Sequence, residues 1–279
     1  MTERPHILPP PPGVEGERRE GARGAAFFDL DRTLMAGSSA FQYGRAAYRA
    51  GMVTRRQLLR SARENLLFRL RGSTDATTDR LMTELAALLR GMRVRDLQRL
   101  APDVLAGVLP RVYPRMLEIA YEHQDAGRPV FICTAASQEV AELMATVLTL
   151  DGAVGTVYES EDGRYTGRLG GPFNYRDGKA AAIRELAERE GIDLAASYAY
   201  SDSESDLPML RTVGHPVVVN PDAALREIAG REGWPVLRVD RLGRRLRIGA
   251  AGAAVATLGG LGSFALRRRP LLVPRRARA

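Results

Sequence analysis

The sequence predicts an α/β protein in which a parallel sheet is layered between helices and an all-helical segment is inserted after the first strand. Three observations predict it. Short apolar runs end in polar, chemistry-bearing residues at 25–33, 128–134 and 198–206. Helical patterns separate these runs, the arrangement that builds parallel strands joined by right-handed crossovers. Residues 37–111, between the first run and the second, carry no strand signal.

The first run reads Ala-Ala-Phe-Phe-Asp-Leu-Asp-Arg-Thr over 25–33. Its apolar half is a buried strand. Alternation puts Asp29 and Asp31 on one side near the carboxyl end, where open α/β sheets bind ligands. Two close acids repel, and a divalent cation relieves the repulsion. Taken alone, the stretch also reads as a strand followed by an Asp-rich turn. Helices follow over 39–50, 54–71, 77–90 and 94–108, punctuated by Gly51, Gly72 and Gly91. Thr54 and Ser73 or Thr74 are their N-caps. Leu58, Leu59, Leu66, Leu67 and Phe68 recur at helical spacing and read as the core of this insert, with substrate contact as the alternative.

A helix over 111–126 ends at Gly127. The second strand, 129–134, ends in Thr134, and a helix follows over 138–150. Within 153–169, Glu161-Asp162-Gly163-Arg164 between strand-like flanks marks a hairpin. Asp177-Gly178-Lys179 opens a helix that Gly191 stops. A third strand over 197–200 leads into Ser201-Asp202-Ser203-Glu204-Ser205-Asp206. A strand over 215–220, a helix capped by Asp222 and running to 231, and a short strand over 236–239 follow.

Strand ends and helix starts thus offer two carboxylates, a hydroxyl, a lysine and two more carboxylates. These are the groups that hold Mg2+ and a phosphoryl group. Lys179 is the only lysine, so the other 40 of the 41 basic residues are arginine. An ammonium is a compact point charge, whereas a guanidinium is a planar fork that needs more room. One ammonium in an arginine-saturated chain points to a position that only lysine fills.

Composition narrows the function classes. The one cysteine, Cys133, excludes an internal disulfide and reads as core. Residues 1–23 hold Pro9 to Pro12, mixed charges and no apolar run, which predicts a disordered Pro/Arg-rich tail rather than a signal peptide. Ten of the 41 basic residues and none of the 33 acidic ones lie in 241–279, which leaves 31 basic against 33 acidic before it. The body of the chain is near neutral, which argues against a nucleic-acid-binding face. Within the basic tail, 248–266 is uncharged, rich in Gly and Ala, and flanked by arginine on both sides. It is about long enough to span a bilayer, but its charges fit lying along an anionic surface better. A helix packed on protein is the alternative.

Over residues 24–240 these motifs, in this order, resemble a haloacid dehalogenase (HAD) superfamily hydrolase of subfamily IB, the branch that includes phosphoserine phosphatases. The Asp-x-Asp-x-Thr is Asp29 to Thr33, the strand-end hydroxyl Thr134, the lysine Lys179, and the acidic loop 201–206. The resemblance implies a Rossmann-like three-layer core at 24–36 and 112–240, with 37–111 as a helical cap that closes over the site. It implies Mg2+-dependent hydrolysis of a phosphomonoester through an aspartyl-phosphate. Asp29 is then the nucleophile and Asp31 the general acid and base. Thr134 and Lys179 bind the phosphate. The Asp29 carboxylate, the Asp31 backbone carbonyl and Asp202 hold the metal, with Thr33 and Asp206 in support.

The substrate implied is a small phosphorylated compound. Phosphoserine phosphatases carry acids suited to an amino group where this chain has Ala36-Gly37-Ser38-Ser39, and tend to Ser-Gly-Gly where it has Thr134-Ala135-Ala136. Phosphoserine is therefore not expected to be the best substrate. Phosphoserine phosphatase proper, a membrane-associated phosphatase of lipid-linked phosphates, and a non-enzymatic phosphate-binding regulator on the same fold are the alternatives. The intact set Asp29, Asp31, Lys179, Asp202 and Asp206 argues against the last. Phe173, Asn174, Tyr175 and Arg176 line the pocket or form an exposed loop, and His123 and His215 match no motif. The expected location is cytoplasmic, with the inner face of the cell membrane as the alternative.

Overall fold

The computed structural model describes residues 23–56, 86, 87 and 89–239. The first 22 residues, most of the expected helices over 54–71 and 77–90, and the tail with 248–266 lie outside them. In chain order the elements are β1 (Ala26–Phe28), α1 (Ser39–Arg49), α2 (Val94–Gln98), α3 (Ala101–Val108), α4 (Pro114–Asp125), β2 (Val130–Ser137), α5 (Gln138–Val147), β3 (Gly152–Thr156), β4 (Tyr158–Glu161), β5 (Arg164–Leu169), α6 (Asp177–Glu190), β6 (Tyr198–Ser201), α7 (Leu207–Leu210), β7 (His215–Val219), α8 (Ala223–Glu232) and β8 (Val236–Leu237).

Six strands form one sheet in the order β3-β2-β1-β6-β7-β8, and every neighbouring pair is parallel. Alternation along the strands makes the layers. Phe28, Ile132 and Tyr200 face one side with Met116, Ile119, Val140 and Met144 of α4 and α5. Phe27, Phe131 and Ala199 face the other with Ile183 and Leu186 of α6, Met209 and Leu210 of α7 and Leu225 of α8. This is the three-layer α/β fold that the apolar runs predict.

Some boundaries differ from the sequence pattern. The single helix expected over 94–108 is two, α2 and α3. Pro102 in the first turn of α3 has no N–H to continue the α2 ladder. The helix expected from 111 begins at Pro114, after a 3-10 turn over Leu109–Arg111. β2 continues past Thr134 to Ser137, through an irregularity between Cys133 and Ser137. There the Gln138 carboxamide stands in for the missing peptide. It accepts from the Gly155 N–H at 2.6 Å and donates to the Ala153 carbonyl at 3.1 Å.

The hairpin of β4 and β5 turns at Asp162 and Gly163, both left-handed (φ 50° and 71°), as a tight two-residue turn requires. Residues 91–94 pair with it: Gly91 N–H donates to the Tyr165 carbonyl at 2.8 Å and Tyr165 N–H to the Met92 carbonyl at 3.0 Å. Ala46 and Ala47 of α1 join Val104 and Val108 of α3, Leu34 and Met35 in the apolar cluster of the first face.

His123 of α4 is buried against Tyr200. Arg128 Nε donates to its Nδ1 at 2.8 Å, so its Nε2 carries the proton toward Tyr200 Oη at 2.9 Å. Burial, then the Arg128 charge, pushes its pKa down to about 4. An unfolded histidine takes up its proton near pH 6.5. Stability is therefore lost as pH falls from about 6.5 to about 4. Between about pH 7 and about pH 4.5, urea denaturation should show the wild type losing about 2 to 3 kcal/mol more than His123→Gln. Equal losses in the two proteins would contradict a histidine buried neutral.

Candidate active site

The carboxyl edge of the sheet collects the polar groups. Phe28 pairs with Ile132 and Tyr200, which sets Asp29 level with Cys133 of β2 and with Ser201 at the end of β6. The Asp29 N–H donates to the Tyr200 carbonyl at 3.0 Å. β1 ends at Phe28, so a loop and not strand alternation aims the two acids. In that loop Arg32 is left-handed (φ 64°), and the Leu34 and Met35 N–H groups both donate to the Leu30 carbonyl. Asp31 Oδ1 accepts the Ser39 N–H at 2.7 Å, which ties it to the N-terminus of α1. Thr33 is fully buried and its Oγ1 has no hydrogen-bond partner.

Lys179, in the first turn of α6, is 2% exposed. Its Nζ lies 2.7 Å from Asp29 Oδ1 and 2.8 Å from Asp206 Oδ2. Ser201 Oγ donates to the same Asp206 oxygen at 2.7 Å. The turn into α6 is tight: a Cβ on Gly178 would overlap the Phe173 carbonyl oxygen. Asn174 fixes that turn to the sheet. It is buried, and its Nδ2 donates to the carbonyls of Thr134 at 2.7 Å and Val154 at 2.9 Å. Asn174 therefore belongs neither to an exposed loop nor to a pocket wall; it clamps β2, β3 and the start of α6. Thr134 is buried at the same edge, its Oγ1 accepting the Ala136 N–H at 3.2 Å.

Burial alone would lower the Lys179 pKa, but the Asp206 and Asp29 carboxylates overturn it and hold the ammonium above its ordinary range. Burial raises Asp29 to about 7, against Lys179 and with the added charges of Asp206 and Asp31. Burial and then the Asp29 charge raise Asp202 to about 8, against Arg32. Arg32 Nη2 lies 3.1 Å from Asp202 Oδ2, yet that oxygen has no hydrogen bond of normal geometry. Nothing in the sequence pattern singles out Arg32 for this contact.

Among the described residues no three His, Cys, Asp or Glu side chains converge on one point. Asp29 and Asp202 nevertheless form a buried pair of hard oxygen donors: the Asp29 charge raises the proton affinity of Asp202, whose Oδ2 has no hydrogen-bond partner. Two carboxylates, with backbone carbonyl and water to complete the shell, suit Mg2+, which keeps several waters. The donor set fits that ion.

The family model of haloacid dehalogenase-like hydrolases matches residues 26–211. A probable phosphatase of Mycobacterium tuberculosis is 38% identical over 269 residues, 95% of this chain and 93% of that protein. Phosphoserine phosphatase SerB1 of the same organism is 38% identical over 277 residues, 96% and 89% of the two chains. The solved structure of a Bordetella pertussis protein of unknown function superposes with a TM-score of 0.69 at 29% identity, over 77% of this chain and 98% of that one.

Removing the ammonium leaves Asp29 and Asp206 as buried charges without a counter-ion. Lys179→Met should therefore cost about 3 to 5 kcal/mol in urea denaturation at neutral pH. Adding Asp206→Asn should recover part of that loss. A cost below about 1 kcal/mol, the range of exposed pairs, would contradict the buried bridge.

Proposed function

The chain belongs to the haloacid dehalogenase-like hydrolases and is a phosphatase, and from that premise we propose that it hydrolyses phosphomonoesters through an aspartyl-phosphate on Asp29. The observation that carries this reading is the buried Lys179 bridging Asp29 and Asp206. A carboxylate held by one oxygen against an ammonium, at the ligand-binding edge of a parallel sheet, is oriented for attack.

Asp29 attacks phosphorus, and the bond from phosphorus to the leaving oxygen breaks. Asp31 gives that oxygen a proton. A water molecule then attacks the aspartyl-phosphate, Asp31 takes its proton back from that water, and the acyl–phosphate bond breaks to release phosphate and restore Asp29. Lys179 and Thr134 grip the non-bridging oxygens where charge spreads. Asp206, fixed by Ser201, positions Lys179. The carboxylates of Asp29 and Asp202 and the backbone carbonyl of Asp31 would hold Mg2+, which supplies positive charge against the phosphoryl oxygens. The expected residue Thr33 sits in the loop after β1 that shapes this site, together with Arg32, which the sequence pattern does not single out.

The substrate is a small phosphorylated compound. We also infer contact of the tail with anionic membranes, because ten arginines flank the uncharged 248–266. Among the described residues no helix is long and apolar enough to cross a membrane. Full-length protein should sediment with liposomes of anionic lipid while residues 1–240 stay in solution and keep activity on a soluble phosphoester. Equal partitioning would reject the contact.

Asp29→Asn should lower kcat by more than about a thousandfold, since an amide cannot attack phosphorus. Lys179→Arg should lower it by about a hundredfold despite conserved charge, because the fork does not fit between two carboxylates at these distances. Steady-state kinetics with a generic phosphomonoester and Mg2+ checks both. Retention within about tenfold by Asp29→Asn would sink the nucleophile assignment.

A further inference from the structure

Asp222 reads in the sequence as the N-cap of α8, and the structure gives it more than that task. One oxygen, Oδ1, accepts the Leu225 N–H at 2.8 Å, which completes the cap. The other, Oδ2, accepts the Glu204 N–H at 3.2 Å, eighteen residues earlier in the chain. The Asp222 N–H in turn donates to the Asp202 carbonyl at 3.0 Å. One residue thus grips the acidic loop after β6 at two points: at the candidate metal ligand itself and two residues beyond it.

The backbone is shaped to deliver Asp222 there. β7 runs beside β6, with Val218 opposite Ser201. Asn220, just past β7, is left-handed (φ 44°). Its N–H donates to the Leu237 carbonyl at 2.8 Å, and its Oδ1 accepts the Val239 N–H at 3.0 Å. The turn between β7 and α8 is therefore tied to β8 on one side, and Asp222 ties it to the β6 loop on the other. A helix cap needs one acceptor, so capping does not account for the second oxygen. Only a carboxylate accepts from both N–H groups at once. Asparagine has one oxygen and would turn its NH2 toward the other donor, and serine reaches only one.

We propose that Asp222 is a positioning residue for the metal site: through the Asp202 carbonyl and the Glu204 N–H it fixes the acidic loop, so that the Asp202 carboxylate stands where Mg2+ is held. This rests on the Mg2+-dependent phosphatase reading and deepens it. Mg2+ tolerates little departure from octahedral geometry. A loosened Asp202 loop therefore lowers its affinity even with every ligand still present, as supporting bonds around metal ligands do in general.

The test is calorimetric binding of Mg2+ to the full-length protein. Asp222→Asn and Asp222→Ser keep a good cap on α8 but lose the tie to Glu204. Glu204→Pro removes the same bond from the other side. Proline suits the first position of a helical turn, which Glu204 occupies, and the extended residue before it, as Ser203 is (φ −120°, ψ 141°). Glu204→Ala, which keeps the N–H, is its reference. The Mg2+ dissociation constant should rise about tenfold in the Asp222 variants over wild type, and about tenfold in Glu204→Pro over Glu204→Ala. Asp222→Ser with Glu204→Pro should be little worse than either alone, because both cut one bond. In kinetics the loss should lie in the Mg2+ concentration needed for half-maximal rate rather than in the rate at saturation. Unchanged Mg2+ affinity in both Asp222 variants would overturn the proposal. So would a loss there that Glu204→Pro does not share, since charge and not position would then explain it. Where the Asp222 variants do not fold, the Glu204 pair decides alone. A wild type that binds no Mg2+ would defeat the metal reading and the proposal with it. Affinity lost on cutting the tie, in a protein that turns over no phosphomonoester, would support the proposal and defeat the phosphatase reading instead.

Discussion

One ammonium group, held out of water between two carboxylates, constrains the rest of the molecule. Lys179 reaches Asp29 and Asp206 at hydrogen-bond distance, and all three side chains are buried. Charges so placed are stable only when each has its partner and the geometry is kept. β1, β6 and the first turn of α6 must therefore meet in one arrangement. Gly178 lets the α6 turn close, Asn174 pins it to β2 and β3, and Ser201 fixes the Asp206 carboxylate. Each is a cost taken by the fold to hold one small group of charges in register.

The parallel sheet makes this arrangement possible. All six strands point the same way, so their carboxyl ends share one edge. Each strand end delivers its polar residue there: Asp29 after β1, Thr134 within β2, Asp202 after β6. The same edge is where α1 begins, and its first N–H anchors Asp31.

Much of this was legible in the chain. Buried strands of a parallel sheet are short apolar runs, and Phe27-Phe28 and Val130 to Cys133 read as such because both faces are covered. Lys179 stood out because arginine had replaced every other basic residue. Asp162-Gly163 announced its turn. What stayed illegible depends on contacts between distant segments. Gln138 completes a sheet ladder only because β2 bends away from β3, and no local pattern encodes that bend. Arg32 reaches Asp202 through a left-handed turn that favours glycine. Asn174 reads as lining a pocket or as part of an exposed loop, because its partners lie on two strands far back in the chain. Pro102 divides the 94–108 pattern into two helices, which the sequence pattern reads as one, because it has no N–H to donate.

In the proposed reaction the phosphoryl group passes through the Asp29 carboxylate. The most direct measurement is to quench the protein in acid during turnover of a phosphomonoester with Mg2+ and locate the phosphoryl group by peptide mass spectrometry. The account predicts an acyl-phosphate on the peptide that contains Asp29, absent from the Asp29→Asn protein. A phosphoryl group on any other residue would contradict it.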